Sequence, residues 1–538
     1  MENKNTIIAL VLMLLVWSGF TYFFPPQKAV VTQDIKTAAA PVATEPKQSN
    51  TAAGTINSLT EFKNTKLPDV GNIKEKTVTV ENDKFIAVFS NKGASIVSFE
   101  LKDYKKENSA NSPLVSVVDK NKNVPSLFFT GVDGLQFDKN CVYQFEDVDH
   151  IKVINDRSIN FKGITENGSP FDIIYSFTPN SYKIKVAVVY KNVTSNPQNG
   201  YIAVALNTPW TKDMAGNRLE FVGPVSFAAD EVHTDKVDDL EKEPKTYKKN
   251  VAWSGFETKY FLSAIIPSSA KQVTQVVVHK EGNNVVNTVT LAPQLVNSQS
   301  TCVYEFSLFY GPKEVNILTE FGSSLEKVVD FGFFKLIAQP LHLVLKFFYK
   351  YVGNYGIAII LLTIILKMIF WPLTQKSYVS MRAMQTIQPQ MKKLREKYSS
   401  DKEMLNKKMM ELYKEYRVNP LGGCLPMLVQ IPVFFALYKV LLDTIELRHA
   451  PFAFWITDLS IKDPYYITPV VMGITMFIQQ KLSPSTMDAM QAKLMLAMPV
   501  VFTFMFLNFP AGLVIYWLVN NLLTILQQYL IFKKQPVA

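Results

Sequence analysis

IILLTIILKMIFWPLTQKS, from Ile359 to Ser377, is apolar almost throughout until Lys367 interrupts it. With the residues just before it, the run approaches the length of about 20 helical residues that crosses a bilayer. An ammonium at the centre of such a helix costs roughly 2.5–3.5 kcal/mol on insertion scales. Two readings of Lys367 stay open on this basis. Its long stem can snorkel past Pro372 to the interface, or it is an intramembrane charge with a task, as such charges usually are.

Working outward, Tyr355–Leu373 is joined by Ile7–Phe24, Leu421–Leu442, Tyr465–Leu482, Leu494–Phe509 and Leu513–Phe532, which makes six expected spans. Only Pro510, Ala511 and Gly512 separate the last two, which predicts a tight hairpin. None of the six segments contains Asp or Glu, so Lys367 has no carboxylate within the membrane layer to pair with. Lys439, near the end of its segment, has Asp443 at i,i+4 and reads as a structural pair. The first segment, IIALVLMLLVWSGFTYFF, reads as an uncleaved anchor. Tyr22, Phe23 and Phe24 stand where small residues would mark a signal-peptide cleavage site.

Charge placement sets the orientation. Residues 374–419 carry eleven basic and five acidic side chains, net +6, whereas residues 443–464 carry net −2. The positive-inside rule puts the first region in the cytoplasm and the second outside. Alternation then places both termini in the cytoplasm and the long segment between the first two spans in the periplasm. The chain's overall +10 is therefore mostly topological, and no direct nucleic-acid partner is expected.

That long segment changes character twice. Residues 25–75, rich in Ala, Thr, Pro and Lys, have no periodic apolar face and read as a flexible linker. From about Thr77 to Leu318, within a domain placed at 76–320, apolar residues alternate with polar ones. Val97, Phe99 and Leu101 alternate with Ser98 and Glu100, and Ile184, Val186, Val188 and Tyr190 oppose Lys183 and Lys185. This period of two predicts antiparallel strands in a large β-sandwich. His150, His233 and His279 are scattered, and no metal-ligand spacing or nucleophile motif is present. Neither a metal nor a cofactor is expected. Cys141 and Cys302 share the contexts CVYQF and CVYEF, which leaves a bridge between them open. Within 321–351, the stretch Leu325–Tyr351 intersperses aromatics and aliphatics with lysines, and predicts an interfacial amphipathic helix bent at Pro340.

The cytoplasmic insert, placed at 376–417, carries two apolar stripes. Met381, Met384, Met391, Leu394 and Tyr398 form one, and Leu405, Met409, Leu412 and Tyr416 the other, with a break and helix cap at Ser399–Asp401. A helical hairpin follows. Fifteen of the 18 methionines lie after residue 360, and methionine suits surfaces that accept varied apolar partners. Met384, Met391 and Met409 are the expected client contacts.

VNPLGGCLPMLVQIPVFFALY (Val418–Tyr438), with WPLTQKSYVSM (Trp371–Met381), the Gln388–Pro389 pair and FPAGLVIYWLVNN (Phe509–Asn521), resembles the YidC membrane-protein insertase family. The resemblance covers the whole chain. It implies a β-supersandwich in the periplasm and a five-helix core over residues 352–538 in the bacterial inner membrane. It also implies insertion and folding of nascent inner-membrane proteins, alone or with the Sec translocon and its accessory subunits. The ribosome or a targeting particle is a further partner, although the short tail KKQPVA predicts no strong ribosome contact. The family's groove carries one cation, usually arginine, and Lys367 takes that position here. Thr363, Gln430, Thr475, Gln479, Thr503, Asn520 and Gln527 are placed to line the same cavity, or to serve as ordinary helix-to-helix hydrogen bonds. A polytopic transporter would instead show internal repeats and intramembrane carboxylates. A membrane-anchored carbohydrate-binding or carbohydrate-acting envelope protein would place its chemistry in the β-domain.

Overall fold

The computed structural model describes residues 74–119, 125–137, 141–146, 148–215, 220–416, 418, 425–482 and 489–534. The expected anchor Ile7–Phe24 and the linker at 25–75 fall outside them, apart from the linker's last two residues.

Alternation builds three sheets between Thr77 and Pro312. The largest has eight strands, ordered Glu231–Thr234, Gly223–Ala228, Val251–Glu257, Phe261–Pro267, Thr301–Pro312, Lys183–Lys191, Pro170–Phe177 and Arg157–Ile164. A six-stranded sheet centres on Gln198–Pro209 and Asn284–Leu291, and a five-stranded sheet on Thr77–Glu81, Phe85–Ser90 and Ser95–Lys105. Ile184, Val186, Val188 and Tyr190 are all buried on one face, as their spacing predicts. Apolar faces of the three sheets meet in one core, where Phe89 lies 4.9 Å from Tyr175 and Phe129 lies 6.0 Å from Phe306. Val97 departs from the expected alternation. A bulge pairs Phe89 with Ile96 and Val88 with Ser98, so Ile96 turns into the core and Val97 is left half-exposed. Cys302 is a free thiol, so no bridge joins it to Cys141. Cys302 sits opposite Tyr190 in its sheet, and burial pushes its thiol up to about 11.

The chain then turns helical. Two short 3₁₀ turns, Leu325–Val328 and Gly332–Phe334, precede α1 (Lys335–Val352), so the interfacial segment starts its regular helix later than the pattern suggests. Helix α1 buries Ala338, Leu341 and Leu345, leaves Leu336 and Leu343 exposed, and ends on the left-handed Gly353. Helix α2 (Tyr355–Thr386) is capped by Asn354, whose side chain accepts from the Ile357 N–H at 3.1 Å. It runs about 48 Å at 1.5 Å per residue and continues through Pro372 to Thr386. Two shorter helices, α3 (Gln388–Lys397) and α4 (Lys402–Glu415), follow, with Asp401 capping α4 through the Met404 N–H. The remaining helices are α5 (Leu425–Asp443), α6 (Ile467–Leu482), α7 (Ala489–Phe506) and α8 (Ala511–Lys534). Among the described residues, two helices, Tyr355–Thr386 and Ala511–Ile531, are long and apolar enough to cross a membrane. The expected i,i+4 pair between Lys439 and Asp443 forms at 2.7 Å.

The loop between α5 and α6 is held from several sides. Arg448 donates to the carbonyls of Lys105 and Lys106 in the β-domain, and Asn108 donates to the Thr457 carbonyl. The N–H groups of Ala511 and Gly512 donate to the Ile461 and Leu459 carbonyls, which ties the start of α8 to this loop. Asp463 is fully buried and accepts from Trp455 Nε1, the N–H groups of Tyr465 and Thr468, and the Thr468 hydroxyl, at 2.7–3.0 Å. Burial opposes its charge, but the Thr468, Tyr465 and Trp455 donors outweigh burial and hold the carboxyl below its usual range. Asp463→Ala leaves those donors unpaired and is expected to cost about 3 kcal/mol at neutral pH. Because the folded pKa is depressed, this contribution is present above the unfolded value of about 4 and lost as pH falls through the folded one. Thermal unfolding of both proteins from pH 7 to pH 3 should show the gap closing at the acid end.

Candidate functional site

Helix α8 carries a polar stripe at helical spacing: Tyr516, Asn520, Thr524 and Gln528 at i,i+4, with Asn521 and Gln527 beside them. The stripe extends about 18 Å along the helix. Helix α2 faces it in the same direction, since Lys367 meets Thr524 and, further on, Thr374 meets Gln527. A polar seam therefore lies between two apolar helices.

Lys367 is half-buried, and its Nζ donates to Thr524 Oγ1 at 2.7 Å. The Thr524 hydroxyl in turn donates to the Asn520 carbonyl at 2.6 Å. Among the described residues no carboxylate lies within ion-pair distance of Lys367. An ammonium has three donors, so Lys367 keeps capacity beyond its bond to Thr524. Next along the seam, Gln527 is fully buried. Its amide donates to Thr374 Oγ1 at 2.7 Å and to the Trp371 carbonyl at 3.3 Å, while its Oε1 has no partner among the described residues. The Thr374 hydroxyl also donates back to the Phe370 and Trp371 carbonyls of its own helix, both at 3.0 Å.

The other expected groove residues divide. Gln430 reaches the seam by donating to the Tyr516 hydroxyl at 3.0 Å, and Thr475 on α6 accepts from Asn521 at 3.4 Å. Asn520 takes part through its carbonyl. Thr363 is buried and donates to the Ile359 carbonyl of its own helix, and Thr503 likewise donates to the Pro499 carbonyl. These two hydroxyls serve their own helices. Thr503 also marks a close crossing, because a Cβ at Gly473 would collide with its hydroxyl. Gln479 is half-buried on α6. Thr374, Tyr516, Asn521, Thr524 and Gln528 escaped the sequence reading. The signal was there: polar residues on α8 recur at i,i+4 within an apolar run.

The hairpin methionines require a correction. Met384 and Met391 are buried, and with Ile387, Leu412 and Val418 they form the hairpin's own small core, against which Met409 packs. The stripes are the faces that join the two helices, which buries Met384 and Met391 and leaves Met409 half-buried. Met404 and Met410 are the exposed methionines there, at 38% and 53%.

The chain matches the family model described as 60Kd inner membrane protein over residues 347–537 and the one for the YidC periplasmic domain over 77–344. It is 45% identical to a membrane protein insertase YidC from Geotalea daltonii, covering 99% of this chain and 100% of that protein. It is 41% identical to one from Geobacter sulfurreducens, over 100% of this chain and 99% of that one. A crystal structure of an active YidC insertase aligns with a TM-score of 0.36 at 18% identity, covering 87% of this chain and 94% of that chain. The two family models and the full-length sequence relatives define an inner-membrane protein with a β-rich domain and a helical membrane region, working on other membrane proteins rather than catalysing a reaction. The chain belongs to the YidC family of membrane protein insertases.

The seam's share in stability is measurable. Removing a buried hydrogen bond between membrane helices costs about 0.6–1.7 kcal/mol, so Gln527→Ala should lower the thermal stability of the detergent-solubilised protein by that modest amount, and a loss several times larger would contradict a simple two-bond role.

Proposed function

We propose that this insertase passes the polar parts of its clients along the seam between α2 and α8, with Lys367 as the fixed cation that receives them. The observation carrying this reading is the Lys367 ammonium, held by one threonine hydroxyl with donors to spare and no carboxylate beside it among the described residues. Gln430, Thr475, Asn520 and Gln527 belong to the same path, with Thr524 and Asn521 added. A client with a short outward tail must carry polar groups through a hydrocarbon layer roughly 30 Å thick. A wet seam reaching partway shortens that crossing, and the client's apolar segment then leaves sideways, driven by its transfer into lipid.

In this reading the chain crosses the inner membrane six times, with both termini in the cytoplasm and the β-supersandwich in the periplasm. The +6 stretch at 374–419 against the −2 loop supports that orientation. The anchor is residues 1–24, the linker 25–75, the β-domain 76–320, the interfacial segment 321–351 and the insertase core 352–538. The α3–α4 hairpin receives clients arriving from the ribosome, a targeting particle or the Sec translocon, through Met404 and Met410 rather than through its own core.

Two opposite charges about 4 Å apart are worth roughly 1–4 kcal/mol, from bulk water to an effective dielectric of about 20. Lys367→Arg should keep activity, and Lys367→Ala should slow insertion of acidic-tailed clients about tenfold. Lys367→Glu should be worst, with partial rescue when the client's tail charge is reversed. Insertion into liposomes by purified protein measures all three. Equal insertion of acidic-tailed clients by Lys367→Glu and wild type would mean the lysine only snorkels.

The hairpin has its own test. Replacing Met404 and Met410 together with Gln should weaken client cross-linking to the hairpin and leave the melting temperature unchanged. Unaltered cross-linking would move reception elsewhere.

A further inference from the structure

Beside α1 lies a hollow of about 690 Å³, within the size range of ligand sites. Its polar wall is unusually balanced, with Lys346, Lys350, Glu314 and Glu446 supplying two cations and two anions. Lys346 Nζ is 2.8 Å from Glu446 Oε1 and 3.8 Å from Glu314 Oε1. Neither Lys346 Nζ nor Glu446 Oε1 makes a well-directed hydrogen bond. His342, 3.9 Å from Glu446, adds no charge at neutral pH, because burial lowers its pKa. Lys350 is exposed and makes no ion pair among the described residues. The remaining wall is apolar or aromatic. Tyr349 and Tyr355 stack at 3.8 Å, and Leu343 and Phe347 are 67% and 55% exposed on the same helix.

We infer that this hollow binds the headgroup of a phospholipid carrying a primary ammonium, phosphatidylethanolamine, in the outer leaflet. Each part of that ligand finds a partner of its own chemistry. The phosphate takes the free Lys350, with Lys346 behind it. The ammonium takes the Glu314 and Glu446 carboxylates, whose hydrogen-bonding capacity is not used up, and the face of the tyrosine pair. The acyl chains continue over Leu343 and Phe347. An anionic headgroup would meet the two carboxylates without a cation of its own to place there. A protein segment filling the hollow would leave the wall's opposed charges to be matched pair by pair, which the headgroup does with a single zwitterion. The leaflet rests on the periplasmic placement of the β-domain proposed above, which α1 directly follows in the chain, whereas the binding itself does not.

The full-length protein, delipidated in detergent, is titrated with phosphatidylethanolamine, phosphatidylcholine and phosphatidylglycerol and read by native mass spectrometry. Phosphatidylethanolamine is expected to bind about tenfold more tightly than either alternative. Lys350→Ala and Glu314→Gln should each remove most of that preference without changing the melting temperature. Equal binding of the choline lipid would overturn recognition of the ammonium by hydrogen bonds, and tighter binding of the glycerol lipid would overturn the charge balance. Wild-type preference in both variants would place the lipid elsewhere. Lys367→Ala should bind phosphatidylethanolamine like wild type, so this inference and the insertion reading fail separately.

Discussion

A hydrocarbon layer offers no hydrogen-bond partners, and the pairing of α2 with α8 answers that constraint. Each polar side chain these helices bring inward must be met by the other helix or by its own backbone. Lys367 with Thr524, and Gln527 with Thr374 and the Trp371 carbonyl, set the register in which the two helices lie side by side. Near the other end, Gly512 leaves room for the tip of the Ile359 side chain and for the Leu459 carbonyl. A structural seam would saturate every group. Among the described residues this one keeps donors on Lys367 and an acceptor on Gln527 Oε1, and that surplus is what makes it a candidate path rather than glue alone.

The register depends on a rigid loop beyond the helix ends. Asp463 gathers Trp455 and Thr468, and its neighbours Leu459 and Ile461 accept from the first N–H groups of α8. The orphan donors of a helix N-terminus are thereby spent on protein rather than on water. Arg448 and Asn108 fasten the same loop to the β-domain. Displacing the loop would therefore disturb the starts of α6 and α8 together, which explains why so many polar contacts are spent on a short connection.

What could be read from the chain followed the strength of each physical signal. A continuous apolar run or a strict period of two is enforced by solvent at every residue, so the helices and the strand at 183–191 were legible. Val97 was not, because a bulge is decided by how two strands pair. The apolar run stops at Leu373 while α2 continues to Thr386, because apolarity marks what lies in lipid and not where a helix ends, and Thr374, just past the run, is met by Gln527 from a helix over 150 residues away. The hairpin methionines were misjudged for a related reason. A stripe identifies a face to be buried and does not say whether a sister helix or a client buries it. Within the site, Lys367 stood out as a charge, whereas Thr524 and Asn521 look like tolerable membrane residues until α2 and α6 are set beside them.

Lysine at the seam, where the family usually has arginine, changes what the seam can hold. A guanidinium offers a planar fork that grips a carboxylate in two places and stays charged at any working pH, whereas an ammonium is a compact, strongly hydrated point charge on a flexible stem. A client group that binds too well in the seam is a client that does not leave. In the function proposed above, Lys367, with one threonine as its fixed partner, would follow a passing carboxylate over the arc its stem allows and release it by breaking a single charge-assisted contact. The rest of the seam offers neutral hydroxyls and amides, whose hydrogen bonds across membrane helices are worth only about 0.6 kcal/mol on average. Weak, replaceable contacts in sequence, rather than one tight site, suit the proposed path, whose final step would be escape into lipid.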